Sequence, residues 1–254
     1  MNRIQVISPI AASILVAALA QNAAAQFIPV TQERSALTSV SVSSGASNGD
    51  SAEATDFGLF SPSLTSTITG AAGASATANA AQTSSFSPTL IFGDLSASSA
   101  VATGATFVTA ESDGASNLLF IFDLAAPTEI AFTASGSMSF VGTNPDGEPS
   151  DLYGAARVRL LDADTMDQVA GFQLFGPDAA TDSAFFSGTL PAGSYAILAF
   201  ASTHAFSADL LGPPARSGSG EASVSFSFAL IPAPSAAALL GLGTLALARR
   251  RCAR

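Results

Sequence analysis

The stretch EASVSFSFAL, residues 221–230, alternates apolar Val224, Phe226, Phe228 and Leu230 with Ser223, Ser225, Ser227 and Ala229. A strict period of two places one set of side chains on one face of an extended strand and the other set on the opposite face. No helix can sort residues that way, and the pattern recurs along most of the chain. GSYAILAFAS carries Tyr195, Ile197 and Ala199 on one face and Leu198 and Phe200 on the other. NLLFIFDL, residues 117–124, is apolar on both faces in the same manner. Such strands suit the centre of a sheet covered on each side. In TEIAFTASGSMSFVG the inward candidates are Ile130, Phe132, Met138 and Phe140. ARVRLLDADTMDQVAGFQLF reads as a hairpin, with Arg157 and Arg159 toward water, Val158 and Leu160 inward, and an acidic turn between.

GASATANAAQTSSF is the least obvious segment. Alanine favours a helix by propensity, and low complexity is also compatible with a disordered linker. Yet Ala74, Ala76, Ala78 and Ala80 alternate with Ser75, Thr77 and Asn79, and the unbroken period favours a strand with a small-residue face. Sustained helical periodicity is confined to the two termini. Many strands punctuated by Gly, Pro, Asn and Asp predict an all-β fold, a single β-sandwich of jelly-roll type. Loops are expected in NPDGEPSDLYG after Gly142, GPDAATDS after Phe175 and LLGPPARSGSG after Asp209.

Three segments follow. Residues 1–25 combine Arg3, an apolar run from Ile10 to Ala20 and small residues at Ala23 and Ala25, the parts of a signal peptide with cleavage after Ala25, or alternatively after Ala20. The run is shorter than the roughly 20 residues a membrane span needs. Residues 26–231 form the body, 206 residues that can enclose one sizeable core. The body holds four Arg, no Lys and all 19 acidic residues, a formal charge of −15. Nucleic acid is excluded as a partner by that balance, because phosphate binding needs clustered cations. The chain's one cysteine, Cys252, lies outside the body, so the body has no disulfide and no thiol chemistry.

Residues 232–254 are the third segment. Pro232 and Pro234 flank Ala233; Ser235 to Ala248 is a 14-residue run including Leu239, Leu240, Leu242, Leu245 and Leu247; Arg249, Arg250 and Arg251 close it. As a helix the run rises about 21 Å against a hydrocarbon core of about 30 Å. Arginines at that end belong in the cytoplasm by the positive-inside rule, with the body outside.

The order Pro-Ala-Pro, short apolar helix, Arg cluster resembles the PEP-CTERM sorting signal of Gram-negative bacteria. Ala233 departs from the family, which usually carries Glu there. The resemblance implies an exported protein held at the inner membrane by this segment. It further implies processing by signal peptidase and an exosortase, a membrane-embedded cysteine protease, on the way to the cell surface or extracellular matrix. FSGTLPAGSYAILAFAS and EASVSFSFALIPAP are also similar to the closing strands of that family's β-sandwiches.

Chemistry in the body is sparse. A hydrolytic triad needs a base, and the only histidine is His204, expected in a loop or at a strand end with Asp209 five residues on; no Ser lies in a GxSxG turn. One His and one Cys in distant places do not assemble a zinc site. Calcium takes oxygens, and Asn144, Asp146, Glu148 and Asp151 in one run, or Asp162, Asp164 and Asp167 in another, offer them. Turn chemistry accounts for both runs without a metal. Stacking on a sugar wants an exposed aromatic, and Tyr153 is the one candidate platform. The expectation is a non-enzymatic surface or matrix protein, structural or adhesive, without a cofactor. Its alternatives are a calcium-assisted module binding a ligand or extracellular polysaccharide, and a secreted hydrolase.

Overall fold

The computed structural model describes residues 26–43, 45–70, 73–104, 108–143, 151–209 and 216–231. Its elements are β1 Phe27–Val42, β2 Ser47–Glu53, β3 Ser63–Thr69, β4 Ser75–Phe86, β5 Leu90–Thr103, β6 Val108–Leu124, β7 Thr128–Thr143, β8 Asp151–Asp162, β9 Gln168–Gly176, β10 Ala180–Leu190, β11 Gly193–Asp209 and β12 Arg216–Leu230. Two six-stranded sheets pack face to face. The first runs β2-β1-β6-β11-β8-β9 and the second β10-β7-β12-β5-β4-β3, every pairing antiparallel. The protein is an all-β sandwich.

Each inner face is the apolar half of an alternating strand. In β12 the buried positions are Gly218, Gly220, Ala222, Val224, Phe226 and Phe228, with serines and Glu221 between them pointing out. The alanine-rich segment is strand β4, and Ala76, Ala78 and Ala80 face inward as its period requires. Three expected loops are shorter than the sequence suggests. DLYG opens β8, ATDS opens β10, and RSGSG opens β12. Backbone pairing with β11, β7 and β5 absorbs these polar residues into the ladders.

The core tapers along its length. At one pole Phe27, Phe120, Phe122, Phe132 and Phe228 pack with Ile91, Leu160 and Ile197; Phe122 lies 5.1 Å edge-on from Phe27 and 5.2 Å from Phe228, in the range favourable to aromatic pairs. Toward the other pole the filling is mostly small, Ala74, Ala76, Ala78, Ala110 and Ala205 with Val40, Val42, Val101 and Val108, and Leu152 is its largest buried side chain, with Ile68 and Phe140 packed against the cluster. The sheets meet there nearly backbone to backbone: a Cβ on Gly114 of β6 would sit 2.4 Å from the Asn79 carbonyl oxygen and 3.0 Å from that of Ser98. Between the two regions Thr38 and Ser66 share a hydroxyl–hydroxyl bond of 2.7 Å. Arg34, only 2% exposed, is also there and donates to the carbonyls of Asp56, Gly58 (2.8 Å) and Ser84 (3.1 Å). Its guanidinium lies over the Phe60 and Phe120 rings, and burial lowers its pKa more than Asp56 raises it.

Both ends of the body leave from the phenylalanine pole. Phe27 N–H donates to Pro88 O and Leu230 N–H to Thr89 O, and the Phe27 and Phe228 rings stack at 5.0 Å. The turns after Phe86, Leu124, Asp162 and Leu190 share that pole, while the connections after Val42, Thr69, Thr103, Thr143, Gly176 and Asp209 leave from the opposite one.

Candidate functional site

β6 and β11, apolar on both faces, are central in the first sheet, but no third layer covers them among the described residues. Leu119, Ile121, Leu198 and Phe200 on the outer face are only half-buried. Nearer the opposite pole this same face becomes polar, and the register assembles its chemistry. Asp113 of β6 pairs with His204 of β11, which pairs with Tyr153 of β8. These three outward side chains therefore lie in one row across three strands.

His204 Nδ1 is 2.7 Å from Asp113 Oδ1, and the Tyr153 ring stacks on the imidazole at 4.6 Å with 25° between planes. The stack leaves the histidine side chain 15% exposed and Asp113 43%. Glu111, two residues before Asp113 on the same face, accepts a bond from the Ser41 hydroxyl at 3.4 Å. One ligating atom from each of Glu111, Asp113 and His204 can be chosen so that all lie within 4.8 Å of one another. His204 is thus well inside a strand and not in a loop or at a strand end, and its carboxylate partner is Asp113 rather than Asp209, which closes β11. Among the described residues no hydroxyl hydrogen-bonds to the ring, so the nucleophile half of a triad is not assembled there.

Of the first calcium run only Asp151 is described; it is the exposed first residue of β8, opposite Phe206. Asn144, Asp146 and Glu148 lie outside the described residues. The second run forms the β8–β9 turn, where Asp162 Oδ1 accepts from the backbone N–H of Asp164 and of Thr165, each at 3.0 Å. That carboxylate serves the turn, as Asp does at such positions. Met166 completes the turn at φ +63°, a left-handed conformation. Tyr195 is buried in β11; its hydroxyl donates to Pro191 O at 3.1 Å, and burial, with Asp162 second, raises its pKa. Ala25, the Pro232-Ala233-Pro234 motif, the apolar run to Ala248 and Arg249 to Arg251 also lie outside the described residues. Among those that are described, no helix is long and apolar enough to cross a membrane.

The outer face of the second sheet was not anticipated as a site. One row crosses all six strands with small residues only: Ser63, Ala81, Ser96, Ser223, Ser137 and Thr181. The next row is Thr83, Asp94, Ser225, Ser135 and Ser183. All of these but Ser63, together with Asp182, line an open groove of about 800 Å³. Ser137 and Ser223 share a bond of 3.0 Å, while Asn79 accepts from Thr65 (2.8 Å) and donates to Ser98 (2.9 Å). One row further along, Phe92 is half-buried and Phe185 is 72% exposed. Strand spacing of about 4.8 Å and a two-residue repeat of about 6.7 Å set the hydroxyls on a lattice. The signal was present in the serines between the core residues of β12; their alignment across strands needs the register.

No protein-family profile and no curated protein matches the chain. Among solved structures, those of infectious bursal disease virus strains Gx and Gt align at 8% and 10% identity, over 85% and 84% of this chain and 67% of each of theirs. The TM-scores are 0.18 and 0.16, values that carry no inference about function.

Proposed function

We propose that the protein is an exported, non-enzymatic cell-surface or matrix protein that adheres to hydroxylated polymer, such as extracellular polysaccharide, through the groove of the second sheet. The observation that carries this reading is the groove itself, two rows of serine and threonine hydroxyls across five strands with the carboxylates of Asp94 and Asp182 among them, and Phe185 beyond its rim. Hydroxyls in such an array both donate and accept, as sugar hydroxyls do, and an exposed aromatic near the rim offers a face for a pyranose ring. The strand order supports a jelly-roll reading of the sandwich. β5 to β12 occupy the orders β5-β12-β7-β10 and β6-β11-β8-β9, so that most successive strands change sheet, with β1–β2 and β3–β4 added at the outer edges.

The termini supply the address in this reading: export through residues 1–25, retention at the inner membrane through 235–251, and release or surface transfer by cleavage near Pro232-Ala233-Pro234. Affinity electrophoresis of the full-length protein in gels containing the matrix polysaccharide of the producing cells tests the adhesive part. Retardation in the wild type that Ser223→Arg and Ser137→Arg abolish is expected; retardation that both variants retain would refute the groove. Intact mass of material from the cell surface and medium tests the address. A C-terminus near Pro234 is expected, and a chain running to Arg254 would make the anchor permanent.

A further inference from the structure

We propose that Glu111, Asp113 and His204 form a binding site for a divalent first-row transition-metal ion on the outer face of the first sheet, independent of the polymer groove on the second. Zinc bonds to imidazole nitrogen and carboxylate oxygen at about 2.0–2.2 Å, which puts the ligand atoms of a tetrahedral site about 3.3–3.6 Å apart. The three ligand atoms here lie within 4.8 Å of one another, so side-chain rotation closes the set without moving either strand. The backbone is already rigid at this place, because β6 and β11 are paired without interruption from Gly193↔Leu124 to Asp209↔Val108.

Two further features point to a cation. The Tyr153 ring, stacked at 4.6 Å, fixes the plane of the imidazole, and the Nδ1–Asp113 contact fixes its rotation within that plane; a carboxylate partner is the orienting help that ligating histidines commonly receive. The second is charge. Glu111 and Asp113 project from the same face of one strand, and the rows through Glu111, Asp113 and Ala115 contain no arginine. Against the pair stand a Ser41 hydroxyl on Glu111 and the His204 ring on Asp113. A divalent ion would offset two like charges held on one side of one strand, in a body whose formal charge is −15. Imidazole among three donors selects zinc, copper or nickel over calcium, which prefers six to eight oxygens. The outer face is unroofed among the described residues, which leaves a coordination position for water.

The test is a zinc titration of full-length protein carrying Cys252→Ser, read by calorimetry, with the metal alone as probe. One ion per chain is expected, at micromolar affinity, weakened at least ten-fold by His204→Gln and by Asp113→Asn and unchanged by Asp162→Asn in the acidic turn. Calcium in large excess should not displace it. The absence of saturable binding, binding that His204→Gln leaves intact, or binding lost in Asp162→Asn would overturn the site and leave His204–Asp113 a hydrogen-bonded pair. Should His204→Gln fail to fold, X-ray absorption on the zinc-loaded parent decides, since a first shell without imidazole scattering overturns the site equally.

Discussion

Met166 is a non-glycine residue held at φ +63° while 63% exposed, so the turn gains no packing from its side chain. An L-residue with a Cβ pays about 1–2 kcal/mol in that conformation, and part of the cost returns when glycine's greater unfolded freedom is counted. Met166→Gly should therefore stabilise the protein by about 0.5–1 kcal/mol, seen as a melting temperature about 2 °C higher; a lower one would place the strain elsewhere. Tyr195 makes a prediction about alkali. Its folded pKa is raised above the unfolded value near 10, so the unfolded chain loses its proton first as pH rises. The contribution is complete below that unfolded value and is lost as pH climbs through the folded one. Chemical denaturation should show stability falling above about pH 10, and Tyr195→Phe should flatten that fall. The residues that most define the candidate metal site were only half legible. His204 is conspicuous as the one histidine, but Asp113 is 91 positions away, and only strand register brings the two together. Arg34 gave no signal of burial either, since its partners are carbonyls of a loop and of β4 rather than a patterned acidic residue.

Strand identity, by contrast, was open to reading because burial of one face imposes a period that composition cannot imitate. β12, β11, the second half of β6, β7 and the β8–β9 hairpin follow their apolar alternation, and β4 does so with nothing larger than alanine before Gln82. What alternation cannot convey is how near the opposing sheet lies. Small inner faces on β4 and β6 let the sheets close until a Cβ at position 114 would collide with carbonyl oxygens of β4 and β5. Backbone atoms in ladders cannot step aside as a side-chain tip can, so Gly114→Ala should cost about 1–3 kcal/mol or more and lower the melting temperature by roughly 5–10 °C. An alanine tolerated without loss would mean that the sheets separate freely at this end. Nor does alternation distinguish a strand covered on both sides from one whose second apolar face is bare. Leu119, Ile121, Leu198 and Phe200 were expected beneath another layer and instead form a half-buried strip on the first sheet.

At the scale of the whole molecule, the grouping of both chain ends at the phenylalanine pole makes orientation predictable. If the tail holds the body at a membrane, Ser47 at the opposite pole faces outward and Asp164 faces the bilayer. In a Cys252→Ser background, Ser47→Cys should react on intact cells with a bulky impermeant maleimide faster than Asp164→Cys, and the two should react alike once the protein is solubilised. Equal rates on cells would remove the end-on arrangement. The same exit also decides how the fold bears load. Tension between a tethered tail and a polymer held on the second sheet enters through residue 231 and runs along β12, which is hydrogen-bonded to β5 on one side and β7 on the other over nearly its whole length. Those bonds lie perpendicular to the strand. The pull therefore shears two ladders at once instead of opening them one rung at a time, and the last strand of the body is placed where it resists being drawn out.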